Sequence, residues 1–534
     1  TNINPNKAAH IGHLRNAVLG DTFVRMLRAT GEHVEVQNYI DNTGVQVADV
    51  VAGFHFLEKK SAPDVQALID DPAVRFDYLC WDLYARVSAH YATSPESVAW
   101  RAETLHAIEA DEGDLAEVGH LVADAIVKCH VATMLRLGIQ YDVLPRESEI
   151  LHLKFWAKAF ELLKQRGAIY FEEKGKNKGC WVMPASAFRQ GGAAEAAAAS
   201  DKPSNGASDE TEDSKVIVRS NGTVTYVGKD IAYQLWKFGL LGQDFFYRLW
   251  NRYPDGHPIY VSSSDATTSE AAGTVAFGGG KRVYNVIDSR QSYLQDVVVA
   301  GLRALHYEEA AENSIHFAYE MVALSPRCCA DLGIALSEED SRKAYVEVSG
   351  RKGLGVKADD LIDKLIETAY DEVFSRNGER GEEACRVVAR QIAVGALRYF
   401  LLKYTRNSVI AFDFQEALSF EGETGPYVQY AATRARKVLE KITGQGGALP
   451  DFQAELRPAD LSTQLADENL WQLLLLASKN VAAIRRAVAS GEPAALAKYA
   501  FQLAQSFNEF YHGYPILKEP DPVRRTFLLW LAVY

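Results

Sequence analysis

Two histidines bracket a glycine in the run His10-Ile11-Gly12-His13, and the residues behind it are apolar at helical spacing, with Leu19, Phe23, Met26 and Leu27. The pair therefore sits at the N-terminus of a buried helix. Donors placed there suit a crowded, highly charged phosphorus centre, such as the one formed when a carboxylate attacks the α-phosphate of ATP, and Gly12 lets a nucleotide approach the backbone. Taken bare, the four residues are equally consistent with chance histidines. A second set, Tyr226 and Asp230, has the chemistry of a guanidinium pocket: planar paired acceptors from the carboxylate and a hydrogen bond or ring face from the phenol. Without context, that pair serves an ordinary structural role just as well.

The elements that must carry these residues alternate. After the first helix, Val34-Glu35-Val36-Gln37-Asn38-Tyr39-Ile40 reads as a strand, ending in the turn-forming Asp41-Asn42-Thr43-Gly44. Loop, helix, strand and turn make half of a nucleotide-binding α/β unit. A helical pattern follows over about 65–165, an insertion or helical subdomain, and stops at Gly167. Residues 191–214 are rich in Ala, Gly, Ser, Asp and Glu with no apolar period, so a disordered linker is expected there. Strand-like runs return at 216–218, 224–227, 259–261 and 283–287. Beyond Leu361 the pattern is helical, with Ile392, Ala396, Leu397, Phe400 and Tyr404 on one stripe, and a separate helical domain is expected from about Glu421.

With 534 residues, 48% hydrophobic and 24% charged, the chain has the make-up of a soluble enzyme of two to four domains. No run of about 18 apolar residues and no apolar leader is seen, so neither a membrane partner nor export is expected, and a cytoplasmic location is the default. Its six cysteines form no CxxC pair, and neither Cys129-His130 nor Cys328-Cys329 has the spacing of a zinc site, so no bound metal is expected. The net charge of −13 argues against unselective nucleic-acid binding, but a local cluster such as Arg434, Arg436, Lys437 and Lys441 suffices to neutralise phosphates. A start just before Asn2 and a stop at Tyr534, inside the apolar run Phe527-Leu528-Leu529-Trp530-Leu531, suggest a fragment lacking both natural ends.

The run from Asn2 to Asn16, with Asn4, Pro5, Lys7, His10, Gly12, His13 and Arg15 at their spacings, resembles the extended HIGH motif of the arginyl-tRNA synthetases, a branch of the class I aminoacyl-tRNA synthetases. The resemblance implies that Asn2 and Asn4 hold the α-amino and carboxylate groups of arginine; serine is commoner than asparagine at position 2. Tyr226-Val227-Gly228-Lys229-Asp230 is similar to the family's Y-x-x-R-D element, with Lys229 in place of arginine. Asn285-Val286-Ile287-Asp288-Ser289-Arg290-Gln291 resembles its D-x-x-Q, which adds Gln291 to the arginine pocket. A degenerate KMSKS loop is read at 347–353, where Glu347 replaces the first lysine; Ser349, Arg351 and Lys352 are its implied ATP-binding residues. Family members with such loops carry a lysine upstream of HIGH, which implies that Lys7 supplies the missing charge. The run 317–324 would then border adenine. Near the C-terminus, Phe412-Asp413-Phe414 and the stretch from Gly425 to Ala431 resemble the start of the family's anticodon-binding domain, with Tyr427 and Tyr430 expected as core aromatics.

These readings combine into an α/β chain with a Rossmann-like catalytic domain over 1–420, carrying the helical insertion, and an all-α anticodon-binding domain over 421–534. The implied reaction joins L-arginine to its tRNA with ATP and magnesium, without zinc. Rival readings are a class I enzyme for another amino acid, a small nucleotidylyltransferase, and a paralogue that only binds tRNA. The four motifs in family order favour the arginine-specific enzyme over all three.

Overall fold

A computed structural model describes residues 1–184, 215–220, 225–268, 275–347, 355–444 and 450–533. The linker expected at 191–214 and most of the KMSKS-like loop lie outside them. Short parallel strands form the centre. Val143–Leu144 pairs in parallel with Pro258–Ser263, which pairs antiparallel with Phe246–Arg252. On the other side the order continues through parallel bridges, Gln37 to Val143, Ile40 to Arg146 and Asn2 to Tyr39. A second parallel pair, Val283–Asp288 with Ser314–Tyr319, lies across the first helix, Ile11–Ala29. There Gly20 leaves room for both sides, since a Cβ would stand 2.8 Å from Thr1 Cγ2 and 3.8 Å from Val286 Cγ2. Residues 4–10, 41–44 and 145–147 thus all follow parallel strand segments, the end at which open α/β sheets bind ligands.

The helical insertion differs from the expected 65–165. Helices sharing one apolar cluster, including Val47, Phe54, Leu83, Val118 and Ile126, begin at Val45 and end with Gly113–Arg136. Val143–Leu144 then returns to the sheet, and Phe155–Gln165 packs in another cluster with Ile231, Leu235 and Trp236. Helical spacing alone could not separate helices belonging to two cores. Gly113–Arg136 has the length and apolarity of a membrane span, yet 61% of that window is buried inside the protein.

The strand expected at 224–227 is not formed over its described part: Tyr226–Lys237 is a helix with Thr225 as its extended N-cap. Val-Thr-Tyr-Val has strand propensity, but Val227, Ile231 and Leu235 recur at helical spacing and are all buried, so packing overrides propensity. The run 317–324 likewise divides into two strands, Ser314–Tyr319 and Val322–Leu324, the second pairing in parallel with Ile410–Phe412.

Two long helices, Ala358–Asn377 and Glu382–Lys403, pack together behind the sheet, the second burying Ala396, Leu397 and Phe400 of the expected stripe. The last helices gather Val438, Leu470, Phe510, Phe527 and Leu528 into their own cluster. One of them, Asn480–Ser490, lies against the first helix, where Ala487 meets Leu19, Phe23 and Met26. Tyr427 packs against Phe501 at 5.3 Å, as a core aromatic would. Tyr430 does not: it is 47% exposed, with the Arg434 guanidinium 4.3 Å above its ring.

Candidate active site

His10 is the N-cap of the first helix. Its Nδ1 accepts from the Gly12 amide at 3.1 Å while its own amide donates to His13 Nδ1 at 3.3 Å, a reciprocal capping box built from two imidazoles. Their rings stack with centroids 3.7 Å apart. Gly12 leaves the ring its place, since a Cβ there would stand 3.0 Å from His10 Cε1 and press the imidazole aside. Burial, followed by the nearby charges of Lys7 and His130, lowers the His10 pKa to about 3; burial, followed by His10, holds His13 well below its ordinary value. Both rings are therefore neutral at pH 7. With each Nδ1 used as an acceptor, the ring proton sits on Nε2, so the motif presents two fixed N–H donors.

Behind the histidines the motif is scaffolding. Arg15 is fully buried, and its guanidinium donates to the carbonyls of Leu401, Thr405, Arg406 and Ser408 at 3.2–3.4 Å, around the end of Glu382–Lys403. Asn16 Nδ2 donates to Val286 O at 2.7 Å and Tyr319 Oη at 3.1 Å. A third histidine, His130 of the insertion, donates from Nε2 to the Lys7 carbonyl at 2.7 Å and lies 6.1 Å from His13. Burial lowers its pKa to about 4. Lys7 is 8% exposed, and its ammonium rests 4.1 Å from the Tyr84 ring and 5.1 Å from Trp81.

The other end of the site is acidic. Asp230 lies one helical turn from Tyr226, and the ends of two strand segments bring Asp41 and Glu147 to it. Burial, then Glu147, raises the Asp230 pKa to about 7, while Lys237 and Lys229 pull the other way. Burial and Glu147 hold Asp41 well above the carboxylate range. The Asp41 carboxylate lies against Gly44, where a Cβ would stand 2.4 Å from Oδ1, and that oxygen is buried without a hydrogen-bond partner. Glu147 accepts from Thr43 Oγ1 and pairs with Lys229 at 3.4 Å; Lys229 also reaches Glu109 at 3.5 Å. Tyr39 joins the group and meets Tyr233 ring to ring at 4.8 Å.

The Lys229 ammonium thus stands among Glu147, Glu109, Asp41 and Asp230, a group whose chemistry suits a cation. Asn2, bridged to Tyr39, has a buried Oδ1 without a hydrogen-bond partner. Asn4 is half-buried in the loop before His10. Gln291 is exposed at the start of Ser292–Ala304, outside the buried carboxylate group. Ser349, Arg351 and Lys352 lie outside the described residues. Sequence reasoning misses Asp41 and Glu147 as site residues; the available signal is an acid close behind a strand, Asp41 directly after Tyr39-Ile40 and Glu147 three residues after Val143–Leu144.

Comparison with known proteins extends the picture to the whole chain. A family profile for the class I tRNA synthetase (R) catalytic domain matches residues 2–241, and one for the DALR anticodon binding domain matches 428–533. An arginine–tRNA ligase of Thermococcus kodakarensis is 33% identical over 100% of this chain and 77% of that protein; one of Deinococcus radiodurans is 33% identical over 96% and 74%. The solved arginyl-tRNA synthetase of Thermus thermophilus superposes with a TM-score of 0.75 at 30% identity, covering 99% of this chain and 78% of that one. The Plasmodium falciparum structure, at 16% identity and a TM-score of 0.64 over 99% of this chain and 72% of that one, shares the fold.

Proposed function

This chain belongs to the arginine-specific class I tRNA synthetases, and on that premise we propose how its site divides the work of an arginine–tRNA ligase. Arginine is activated by ATP to arginyl-adenylate, and the arginyl group then passes to the terminal ribose of tRNA. The guanidinium enters among Asp41, Glu147 and Asp230, with Asn2 and Asn4 toward its amino-acid end and Tyr226 and Gln291 as the further residues assigned to arginine. The arginine carboxylate is thereby carried toward the loop before His10. ATP arrives as its magnesium complex with its phosphates facing His10, Gly12 and His13.

As the carboxylate oxygen bonds to the α-phosphorus, the bond to the bridging oxygen breaks and pyrophosphate leaves with the electron pair. The two Nε2–H groups stabilise the crowded phosphorus without giving up a proton, because both rings are held neutral and already oriented. Lys7 supplies positive charge to the leaving group, in the task that a lysine at 347 would otherwise have; Ser349, Arg351 and Lys352 add to it. Residues 1–420 are assigned to catalysis and 421–534 to the anticodon, and the protein works in the cytoplasm.

The observation that carries this reading is the acidic group itself. Three converging carboxyl groups, two of them held upward by burial first and by Glu147 second, are groups whose charged forms a guanidinium would favour. Arginine-dependent ATP–pyrophosphate exchange, run with and without tRNA, tests it. Exchange stimulated by arginine and not by lysine or cysteine is the expected result; no stimulation by arginine in either condition would overturn it.

A further inference from the structure

The insertion helix Phe76–Thr93 carries Tyr78, Trp81 and Tyr84 at intervals of three, which places them in a row along one face. Two lysines from distant parts of the chain rest on that row. Lys7 occupies Tyr84 and Trp81, as described above. The Lys357 ammonium lies 4.7 Å from the Tyr78 ring and 5.5 Å from the Trp81 ring. Trp81, 5% exposed, thus carries both, and it also meets the His10 ring edge-on at 6.5 Å.

Lys357 is fixed to the HIGH loop by its backbone as well. It forms an antiparallel bridge with His10, and the next amide, Ala358, donates to the Ala9 carbonyl at 2.7 Å. Two residues earlier Gly355 presses on the indole so closely that a Cβ would stand 2.0 Å from Trp81 Cζ2, a contact that only glycine permits. The neighbouring carboxylates are engaged with other partners: Asp359 accepts from Arg136 and Thr133, and Asp360 accepts from the Tyr78 hydroxyl.

Two ammonium groups on one buried indole repel each other, and burial strengthens the repulsion. A multivalent anion lying between the two charges is attracted by both, and ring faces remove much of the conformational freedom that makes a lysine a loose ligand. We propose that Lys357 is a second phosphate-binding cation of the activation step, sharing the pyrophosphate leaving group with Lys7, and that Trp81 is the positioning residue that sets both ammonium groups beside His10. The proposal rests on the adenylation reading above for the identity of the anion. In the step the Pα–O bond to pyrophosphate breaks, the leaving oxygen keeps the electron pair, and the two lysines balance its charge while retaining their protons.

Binding of inorganic pyrophosphate with magnesium, measured by calorimetry on the full chain, tests this without turnover. Lys357→Gln should weaken that binding about 10-fold, in the range of losing one charge-assisted contact, and Lys357→Arg should restore most of it. In exchange kinetics with tRNA, Lys357→Gln should raise the KM for pyrophosphate and lower kcat while the KM for arginine stays unchanged. Trp81→Leu should act in the same direction, Trp81→Phe should retain most of the binding, and the Trp81→Leu/Lys357→Gln pair should lose less than the product of the single losses. If Trp81→Leu fails to fold, the phenylalanine and glutamine variants carry the test. Parental pyrophosphate affinity in Lys357→Gln, or an effect confined to arginine, would overturn the proposal. Lys7→Gln separates the two readings: parental behaviour there with a defect in Lys357→Gln removes Lys7 from its task and leaves Lys357 in place, whereas absent arginine-dependent exchange with intact pyrophosphate effects counts against the enzyme reading alone.

Discussion

At the proposed nucleotide end of the site, His10 and His13 come from one turn of chain and hold each other through a capping box; at the proposed arginine end, Asp41, Glu147 and Asp230 come from three segments, and burial, with Glu147 nearby, raises Asp41 and Asp230. The first arrangement is complete without a ligand. Its hydrogen bonds fix ring orientation and tautomer, and its pKa shifts remove charge. The second gathers three carboxyl groups in a buried place, with Lys229 paired to Glu147 and an Asp41 oxygen lacking a partner. Transition-state donors gain from being settled beforehand, whereas a pocket selective for a cation gains from being unsatisfied without it.

Neutralising the arginine end should give the largest effect. Asp230→Asn keeps the side chain's size and removes its charge, so arginine affinity should fall by about 10²–10³-fold, the range for removing one partner of a buried charge-assisted pair. Equilibrium dialysis with labelled arginine reads this directly, and an unchanged affinity would move the pocket away from Asp230. At the other end, His10→Ala or His13→Ala should slow adenylate formation by about 10²-fold, as for one preorganised donor, while arginine affinity changes little. Single-turnover kinetics would contradict this if mutant and parent rates matched.

The pH dependence sharpens the contrast. With the Asp230 pKa raised to about 7, the carboxylate proposed to receive arginine is protonated as pH falls through 7, so arginine affinity should drop by about tenfold per unit below that point. The histidines stay neutral across the same window, so the single-turnover rate at saturating arginine should vary much less. The smallest effect concerns stability. A carboxylate whose folded pKa lies above its unfolded value costs stability as pH rises from about 4 through 7. Without arginine, Asp230→Asn should therefore melt slightly higher than the parent at pH 8 and equal to it near pH 4, as differential scanning fluorimetry can show. A lower melting point at pH 8 would mean that Asp230 is satisfied by its neighbours.

Legibility in the sequence follows the same division. The HIGH run could be read because its chemistry is local: a cap, a glycine and two rings within four residues. Of the three carboxylates only Asp230 was singled out, because Asp41 and Glu147 are brought to it by parallel strand pairing, which a one-dimensional pattern does not carry. Lys229 was read as a replacement for arginine, and its engagement with Glu109 and Glu147 shows why a cation belongs there. His130 and Trp81 were hidden for a related reason. Both are buried on helices of the insertion, so their spacing looks like core, and only the fold shows that this core abuts the catalytic loop. Residues 224–227 read as a strand by local propensity, but the longer helical spacing buries more apolar surface and Tyr226–Lys237 is a helix.

The division of labour is tested most directly by titrating arginine, without nucleotide, into the parent, Asp230→Asn and His10→Ala proteins at pH 7.5 in one calorimetric series. The account predicts parental affinity in His10→Ala and a loss of about 10²-fold or more in Asp230→Asn. Equal losses in both variants, or a loss in His10→Ala alone, would contradict it.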